Sequence, residues 1–214
     1  FGLKQAPAYF QRAMVEEVLV GLINDICICY IDDVIIFGKT PEEIKARTEM
    51  VLQRFREFNI GIKKSKCRFG LTQVQYVGHI ISADGVEMSQ ERKDAVLLLV
   101  KPRTVQELRA FLGTTNYFRS FIPRFADLAA PLTALIDGTI SRVKSKTCLV
   151  QWNEPAERAF EDVRAAIANA QRLSYLNPRG EVKLYTDASD YAIGAHLVQD
   201  DDAKVEKTIA FFSK

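Results

Sequence analysis

The chain of 214 residues lacks the features that mark several protein classes. Its four cysteines form no C-x-x-C pair, no charged-then-apolar leader precedes them, and no repeat or low-complexity segment is visible. Collagen-like, disordered and disulfide-stapled classes are therefore excluded, and a reduced intracellular compartment is expected. One of the longest apolar stretches, residues 26–36, is interrupted by Asp32 and Asp33 and is too short to cross a bilayer.

The chain also lacks an excess of charge of one sign. Twenty-nine basic and 27 acidic residues leave a net charge of +2, so composition alone does not predict a nucleic-acid partner. Locally the charges separate, because residues 39–68 carry about nine basic and four acidic side chains, whereas residues 181–203 are acidic. The basic side chains of residues 39–68 favour binding of phosphate, and the acidic side chains of residues 181–203 favour binding of metal ions.

The first third of the sequence predicts a helix, a hairpin and a second helix. Phe10 and Met14 lie near helical spacing over residues 8–20 and are expected in the core. Residues 26–30 and 34–38 read as two short buried strands with an acidic tip at 31–33. Thr40 and Glu43 have the spacing of a capping box, which predicts a helix that packs on a sheet.

The remainder predicts a strand, four helices and a group of strands. Residues 74–82 read as one strand with Gly78 in its interior. Ser89 predicts a helix cap, and Thr104 with Glu107 predicts a second capping box. Further helices are expected near residues 124–136 and 153–169, a polar loop at 138–147, and strands at 182–187, 191–199 and 208–212.

The pair Asp32 and Asp33 is the first candidate for chemistry. Two adjacent carboxylates at the tip of a rigid apolar hairpin offer the oxygen ligands that Mg²⁺ prefers, and Mg²⁺ bridges readily to phosphates. This favours phosphoryl or nucleotidyl transfer. Aspartate is also a common turn residue, so the tetrapeptide by itself leaves the structural interpretation open.

An ordered set of motifs surrounds this pair, and together the motifs resemble reverse transcriptases, most strongly those of gypsy-type (Metaviridae) long-terminal-repeat retrotransposons. The motifs are FGLKQAPAYFQ at 1–11, YIDD at 30–33, KKSKCRF at 63–69, YVGHIIS at 76–82 with DG at 84–85, FLG at 111–113, NY at 116–117, FIP at 121–123, Phe160 and YTDAS at 185–189. The resemblance covers essentially the whole chain.

The resemblance implies an α+β fold in four parts. The parts would be a partial right-hand polymerase palm, an antiparallel sheet with helices, at 1–88; a helical thumb at 89–123; a joining region at 124–180; and the first strands of an RNase H-like α/β domain at 181–214. The thumb would clasp the duplex minor groove by backbone and shape. Phe111, Leu112 and Phe118 within it are expected to be core residues.

The resemblance also implies the catalytic roles. Asp32 and Asp33 would bind two Mg²⁺ ions, with Mn²⁺ as an alternative, that act on the primer 3′-hydroxyl and the leaving pyrophosphate. Lys66 would protonate or stabilise that pyrophosphate, although surface lysines are often merely solvated. Asp187 would be the first metal ligand of the RNase H site, although a lone aspartate at a strand end is usually a turn former.

Binding roles follow from the same resemblance. The nucleotide and template would contact Phe1, Gly2, Gln5, Gln11 and Tyr30. The primer strand would be gripped by the hairpin of Tyr76, Val77 and Gly78, where the alternative is an ordinary internal strand. The implied partners are an RNA template, a DNA primer, an RNA–DNA hybrid, dNTPs and the rest of the Pol polyprotein, without a membrane, in a cytoplasmic virus-like particle.

The sequence departs from the family pattern in two respects. Gln5 stands where many relatives have asparagine. The family's first polymerase aspartate and its remaining RNase H carboxylates would lie outside residues 1–214, so we expect a fragment that does not extend a primer by itself. The intact enzyme would be an RNA-directed DNA polymerase that also cleaves RNA in hybrids, and the alternative is a degenerate or domesticated, non-catalytic nucleic-acid-binding module.

The histidines and the paired cysteines have no such implied role. His79 and His196 each stand alone on strand-like segments, so both are expected to be structural. Cys27 and Cys29 would point to the same side of a strand. Without further ligands nearby, we interpret them as core thiols and not as a zinc site.

Overall fold

The computed structural model describes residues 2–140, 148–189 and 192–214. Its contacts divide the chain into two compact units, Phe1–Leu71 and Thr72–Lys214. Helices and antiparallel sheets occur in both, which confirms the predicted α+β class. The four domain boundaries drawn from the resemblance stay a prediction. No helix in the described ranges is both long enough and apolar enough to span a membrane.

The first unit consists of a two-stranded hairpin and two main helices. Its elements are α1 (Ala6–Ala13), a π-helical turn (Met14–Val18), β1 (Cys27–Tyr30), β2 (Asp33–Ile36), α2 (Pro41–Glu57) and a 3-10 turn (Lys64–Lys66). The antiparallel pairing of β1 with β2 confirms the predicted hairpin with its acidic tip. The π-helical turn, closed by a bond from the Leu19 N–H to the Met14 carbonyl (2.9 Å), has no counterpart among the sequence predictions.

The core of the first unit lies between α2 and the hairpin. Val51 and Phe55 of α2 pack with Met14, Leu19 and Cys27, which confirms that the helix lies on the strands. Two expectations about burial were wrong. The two strands of the hairpin were expected to be buried, but they are buried mainly on one face. A two-stranded sheet with one helix packed against it keeps its other face open. Phe10, expected in the core, is 41% exposed because α1 buries no residue within this unit.

The start of α2 is capped as its sequence predicts, with one difference. The Thr40 hydroxyl accepts a hydrogen bond from the Glu43 N–H (3.2 Å). The Glu43 carboxylate accepts its bond from the Lys39 N–H (2.6 Å), one residue before the cap, and this bond is the main reason that the pKa of Glu43 is lowered. The backbone N–H groups of Lys39, just before the cap, and of Glu43, in the first turn, therefore both have hydrogen-bond acceptors.

The second unit contains two antiparallel three-stranded sheets, with the order β3-β4-β5 and β6-β7-β8, and a group of helices. Its elements are β3 (Gln73–Tyr76), β4 (His79–Ser82), β5 (Gly85–Met88), α3 (Gln90–Leu97), α4 (Val105–Asn116), a 3-10 turn (Arg119–Phe121), α5 (Phe125–Ile140), α6 (Glu154–Ala168), β6 (Val182–Ala188), β7 (Ile193–Asp200) and β8 (Glu206–Ser213).

The single strand that the residue pattern predicts at 74–82 is wrong, and the hairpin that the resemblance implies at Tyr76, Val77 and Gly78 is confirmed. Tyr76 lies opposite His79, with a two-residue turn at Val77 and Gly78. Both turn residues have positive φ, +48° and +79°, which is the backbone that a tight antiparallel hairpin requires. Gly78 is therefore a turn residue and not an interior strand residue.

The predicted helices are confirmed. Ser89 caps α3, and the reciprocal bonds of the Thr104–Glu107 capping box begin α4. Helix α5 continues through Pro131 to Ile140, so the loop predicted to begin at 138 starts later; its residues 141–147 lie outside the described ranges.

The core of the second unit joins α4, α5 and α6. Leu108, Leu132 and Val163 are fully buried there, and the rings of Phe111 and Phe160 lie 4.8 Å apart. As expected, Phe111, Leu112 and Phe118 belong to this core.

Strand β5 is joined to residue 173 by two backbone hydrogen bonds. The Val86 and Leu173 N–H groups each donate to the other's carbonyl (2.8 Å). Gly85 permits this approach, because a Cβ there would lie 2.1 Å from the Leu173 oxygen, and its φ of +136° is unsuited to other residues.

We predict that Gly85→Ala lowers the free energy of unfolding by at least about 2 kcal/mol, because the added methyl group separates β5 from Leu173 and strains the backbone. Gly113→Ala is the matched control. Gly113 lies inside α4 with open space around it, so alanine should raise stability by about 0.5–1 kcal/mol. Urea denaturation followed by circular dichroism measures both, and equal effects would contradict the account.

A second prediction concerns His79, which lies against the rings of Tyr117, Phe118 and Phe121. Burial, with a contribution from Arg92, lowers the pKa of His79 in the folded chain. The unfolded chain then binds more protons, so stability should fall as the pH drops from about 7.5 to 5.5, above the range where carboxylates titrate. His79→Phe, which keeps a ring at this position, should flatten the dependence in denaturation curves recorded across that range.

Candidate functional site

The two acidic residues lie at the tip of the β1–β2 hairpin. Tyr30 pairs with Asp33, so Ile31 and Asp32 form a two-residue loop. Both carboxylates are exposed, and the Tyr30 side chain beside them is about half exposed. The strands fix where the carboxylates are presented, and a site that binds a metal ion requires such fixed ligands.

The tip contains a strained residue. Ile31 has a φ of +55°, and a β-branched side chain rarely adopts this left-handed conformation. Such a residue costs on the order of 1–3 kcal/mol and persists where neighbouring groups hold it.

Gln11 on α1 holds the tip through both ends of its side-chain amide. Its Oε1 accepts a hydrogen bond from the Ile31 N–H, and its Nε2 donates to the Cys29 carbonyl (3.2 Å). The amide thus bridges the end of β1 and the loop that carries Asp32. The implied contact of Gln11 with nucleotide or template stays a prediction, and the contact that the structure shows is with the hairpin.

Cys29 adds a third support. Its Sγ donates to the Ile31 carbonyl (3.4 Å), and its pKa is raised by burial and by the negative charges of Asp33 and Asp32. Burial, followed by the influence of Cys29, raises the pKa of Cys27 to about 11. Both thiols therefore stay protonated near neutral pH, consistent with core thiols.

The two carboxylates also lie close enough to Cys29 to act on its thiol. After burial, the negative charges of Asp33 and Asp32 are the further causes that raise the pKa of Cys29. Exposed carboxylate oxygens in a negative field fit a hard divalent cation such as Mg²⁺. Among the residues that the structure describes, no group of three or more histidine, cysteine or acidic side chains could hold a metal.

The remaining predicted residues of the first unit lie at its chain ends. Gly2 has a φ of +89° with nothing within 4 Å of a Cβ position, and Gln5 precedes α1 as an exposed residue. Phe1 lies outside the described ranges. Lys66 ends the exposed 3-10 turn. Their functional roles stay predictions.

In the second unit, Tyr76, Val77 and Gly78 form the end of β3 and the turn into β4. The Gly78 carbonyl accepts from the Ser89 N–H (3.3 Å), and the Val77 carbonyl accepts from the Tyr117 hydroxyl (3.1 Å). The turn is therefore fastened to the residues that begin α3 and follow α4.

Asp187 lies near the end of β6 and is 65% exposed. Its carboxylate is 3.7 Å from the Arg124 guanidinium, which also bonds Asp127 (2.9 Å). Asp127 in turn accepts a hydrogen bond from the Ser189 hydroxyl (3.3 Å). Within the described ranges, Asp187 pairs with a cation and not with a second ligand carboxylate, so these residues alone do not form a metal site.

Sequence reasoning missed the supporting residues. The resemblance assigns Gln11 to ligand binding and gives Tyr117 no role. Arg124 and Asp127 have the i,i+3 spacing of a helix-start ion pair, a signal that was available. The contacts of Gln11 and Tyr117 join residues 20 and 40 positions apart, for which the sequence carries no periodic signal.

We predict that Gln11→Leu loosens the acidic tip, because the Ile31 N–H and the Cys29 carbonyl both lose a partner. The cost should be about 2 kcal/mol in the free energy of opening the tip, measured as faster hydrogen exchange of the Ile31 amide. Gln53→Leu, which removes an exposed amide bonded to Glu57 on α2, should leave that exchange unchanged. Equal exchange in all three proteins would contradict the role of Gln11.

Two protein-family models match the chain. Residues 1–81 match the reverse transcriptase (RNA-dependent DNA polymerase) model, and residues 152–214 match the model of the RNase H-like domain found in reverse transcriptase. The second match begins before β6 and includes α6.

Curated relatives match along nearly the whole chain. The retrovirus-related Pol polyprotein from transposon opus of Drosophila melanogaster is 35% identical over 100% of this chain and 21% of its own length. The corresponding polyprotein from transposon gypsy is 36% identical over 94% of this chain, and the Tf2-3 polyprotein of Schizosaccharomyces pombe is 32% identical over 100% of it. The chain spans about a fifth of the length of these relatives, or less.

Solved structures agree on the fold. A foamy viral protease-reverse transcriptase in complex with dsDNA superimposes with a TM-score of 0.77 and 25% identity, covering 99% of this chain and 42% of that protein. A second structure, in complex with an RNA/DNA hybrid, gives 0.75 at 24% identity, covering 97% and 27%. Two domain models in order and full-length similarity to Pol polyproteins agree with the motifs on the hairpins. The chain belongs to the reverse transcriptase and RNase H-like family of gypsy-type retrotransposon Pol polyproteins.

Proposed function

We propose that the polypeptide carrying this chain is an RNA-directed DNA polymerase that also cleaves RNA in RNA–DNA hybrids. The observation that carries the proposal is the acidic hairpin. Asp32 and Asp33 are exposed at a tip that Gln11 and Cys29 hold by hydrogen bonds to the Ile31 backbone. Two carboxylates presented in this manner suit nucleotidyl transfer better than any other chemistry the described residues offer.

Asp32 and Asp33 would hold Mg²⁺. The bound ion would supply Lewis-acid stabilisation of negative charge on phosphate oxygens and on the primer hydroxyl. The residues of the chain supply the rest. The hairpin fixes the two carboxylates, Tyr30 would pack beside the primer end and the nucleotide, and Lys66 would place a positive charge near the leaving pyrophosphate. A loop with positive φ at Gly2 would let a nucleotide or template approach the backbone closely.

Helix α4 supports contact with a nucleic-acid duplex. Gly113 lies in its interior, is exposed, and has open space around its Cβ position. Glycine there costs about 1 kcal/mol of helix stability, and no neighbour within the second unit requires it. Close approach of a duplex backbone would explain it, with the exposed Arg109 one turn earlier available to phosphate.

The foamy viral relatives bound to dsDNA and to an RNA/DNA hybrid add support for such partners. We propose a template–primer duplex and dNTPs as the ligands of this chain's parent polypeptide. Asp187 would contribute to RNA cleavage once a metal replaced Arg124 as its partner, and further ligands would have to join it.

The proposal predicts that Asp32→Asn lowers primer extension by at least about 100-fold, because the substitution removes a charged oxygen from the metal-facing tip. The measurement is extension of a DNA primer on an RNA template with Mg²⁺, using the gene product that carries these residues. Asp25→Asn, which neutralises an aspartate at the far end of the same hairpin, is the matched control and should retain full activity. The 214-residue chain assayed in parallel tests the expectation that this stretch alone does not extend.

Two outcomes separate the candidates. Extension that depends on Asp32 supports the polymerase. Duplex binding by the wild-type gene product without any extension, unaffected by Asp32→Asn, would favour the non-catalytic binding module instead.

A further inference from the structure

The β3–β4 turn is held in a conformation that its sequence disfavours. Val77 has a φ of +48° and Gly78 a φ of +79°, so the turn requires a left-handed backbone at both positions. Gly78 accepts this without cost, but a β-branched residue at such a φ is a true outlier. Asparagine and glycine are the residues that such two-residue turns favour.

Two hydrogen bonds hold the turn against the strain, and both come from the same unit. The Tyr117 hydroxyl donates to the Val77 carbonyl (3.1 Å). The Ser89 N–H donates to the Gly78 carbonyl (3.3 Å). The Tyr117 ring is 5.5 Å from the His79 ring and 4.8 Å from the Phe118 ring. These ring contacts help to fix the position of the Tyr117 hydroxyl.

These contacts orient the turn. Both of its carbonyls are paired with donors of the second unit, while its two N–H groups donate to no acceptor within the described ranges. Carbonyl oxygens turned outward would repel a phosphate, whereas backbone N–H groups bind it. The turn is thus arranged to bind an anion through the backbone N–H groups of Val77 and Gly78.

We propose that Tyr117 is a positioning residue for nucleic-acid binding: its hydroxyl holds the Val77 carbonyl inward, so that the turn presents its N–H groups to a phosphate of the bound strand. The inference rests on the proposed function, and it adds a residue on α4's C-terminal side for which the sequence analysis gave no role. Tyr117 acts through Val77 and does not itself need to touch the nucleic acid.

The test uses Tyr117→Phe, which removes the hydroxyl and keeps the ring contacts with His79 and Phe118. Tyr175→Phe is the matched control, because its hydroxyl also faces a backbone carbonyl of this sheet, that of Gly85 (3.5 Å), at the opposite end of β4. Binding of a fluorescently labelled RNA–DNA hybrid to the 214-residue chain is measured by anisotropy, with the melting temperature and amide exchange of residues 76–79 recorded in parallel.

Tyr117→Phe should weaken hybrid binding about three- to ten-fold, the range expected for one neutral hydrogen bond, and should speed exchange at the turn. Tyr175→Phe should change neither. Val77→Asn provides a rescue, since asparagine adopts the left-handed conformation readily. In that background, adding Tyr117→Phe should change the affinity by less than about two-fold, a loss of effect that general destabilisation would not produce.

Two results would overturn the proposal. One is wild-type affinity and wild-type turn exchange in Tyr117→Phe. The other is an equal loss of affinity with and without Val77→Asn, which would place the hydroxyl in direct contact with the ligand. Failure of both the 214-residue chain and the gene product that carries it to bind the hybrid would refute the proposed function, and the exchange measurement would then decide by itself whether Tyr117 holds the turn.

Discussion

A tight hairpin needs a left-handed backbone at its tip, and this chain meets that need twice with a β-branched residue. Among the described residues, Ile31 and Val77 are the two β-branched ones with positive φ, and each lies in a two-residue hairpin loop. Each is fastened through its own backbone by a side chain from outside the hairpin, Gln11 for the first and Tyr117 for the second. The conformations of both candidate sites depend on these bonds, because intrinsic preference acts against them.

The two hairpins show how the same device serves opposite charges. At the first tip the outward groups are the carboxylates of Asp32 and Asp33, which suit a cation. At the second tip the carbonyls are paired inward, and the N–H groups are left to suit an anion. In both cases the strands supply rigidity, and one polar side chain selects which groups face outward.

The region around Asp187 is arranged differently. Its carboxylate is exposed and its partner is Arg124, in an ion pair of long geometry that contributes little to stability. Arg124 is bound more closely by Asp127, so the guanidinium belongs first to the start of α5. A metal ion at Asp187 would therefore displace a loosely held guanidinium. Losing this weak ion pair would cost little free energy compared with what binding of a divalent cation would contribute.

Much of the fold was predictable because its signals are local. Capping residues such as Thr40, Ser89 and Thr104 act within three or four positions of the helix that they begin, and each begins the helix that the sequence indicates. Two wrong predictions also concern local features of the chain. The residue pattern predicts one strand over residues 74–82 because Val77 is not a residue that favours a turn, and only the resemblance implies the hairpin that the structure has there. The pattern also predicts Phe10 in the core, although α1 buries nothing within its unit.

By itself, therefore, the sequence determined the class of the fold, the starts of the helices, the acidic tip and, through its motifs, the family. The tertiary structure decided the rest: that Gln11 clamps the tip, that Tyr117 fastens the turn at Val77, and that Arg124 faces Asp187. These contacts join residues that are distant along the chain, and they form only because packing brings an amide, a hydroxyl or a guanidinium within about 3–4 Å of a backbone or carboxylate group. Periodicity and capping report on neighbours within a few residues, so they carry no information about such pairs.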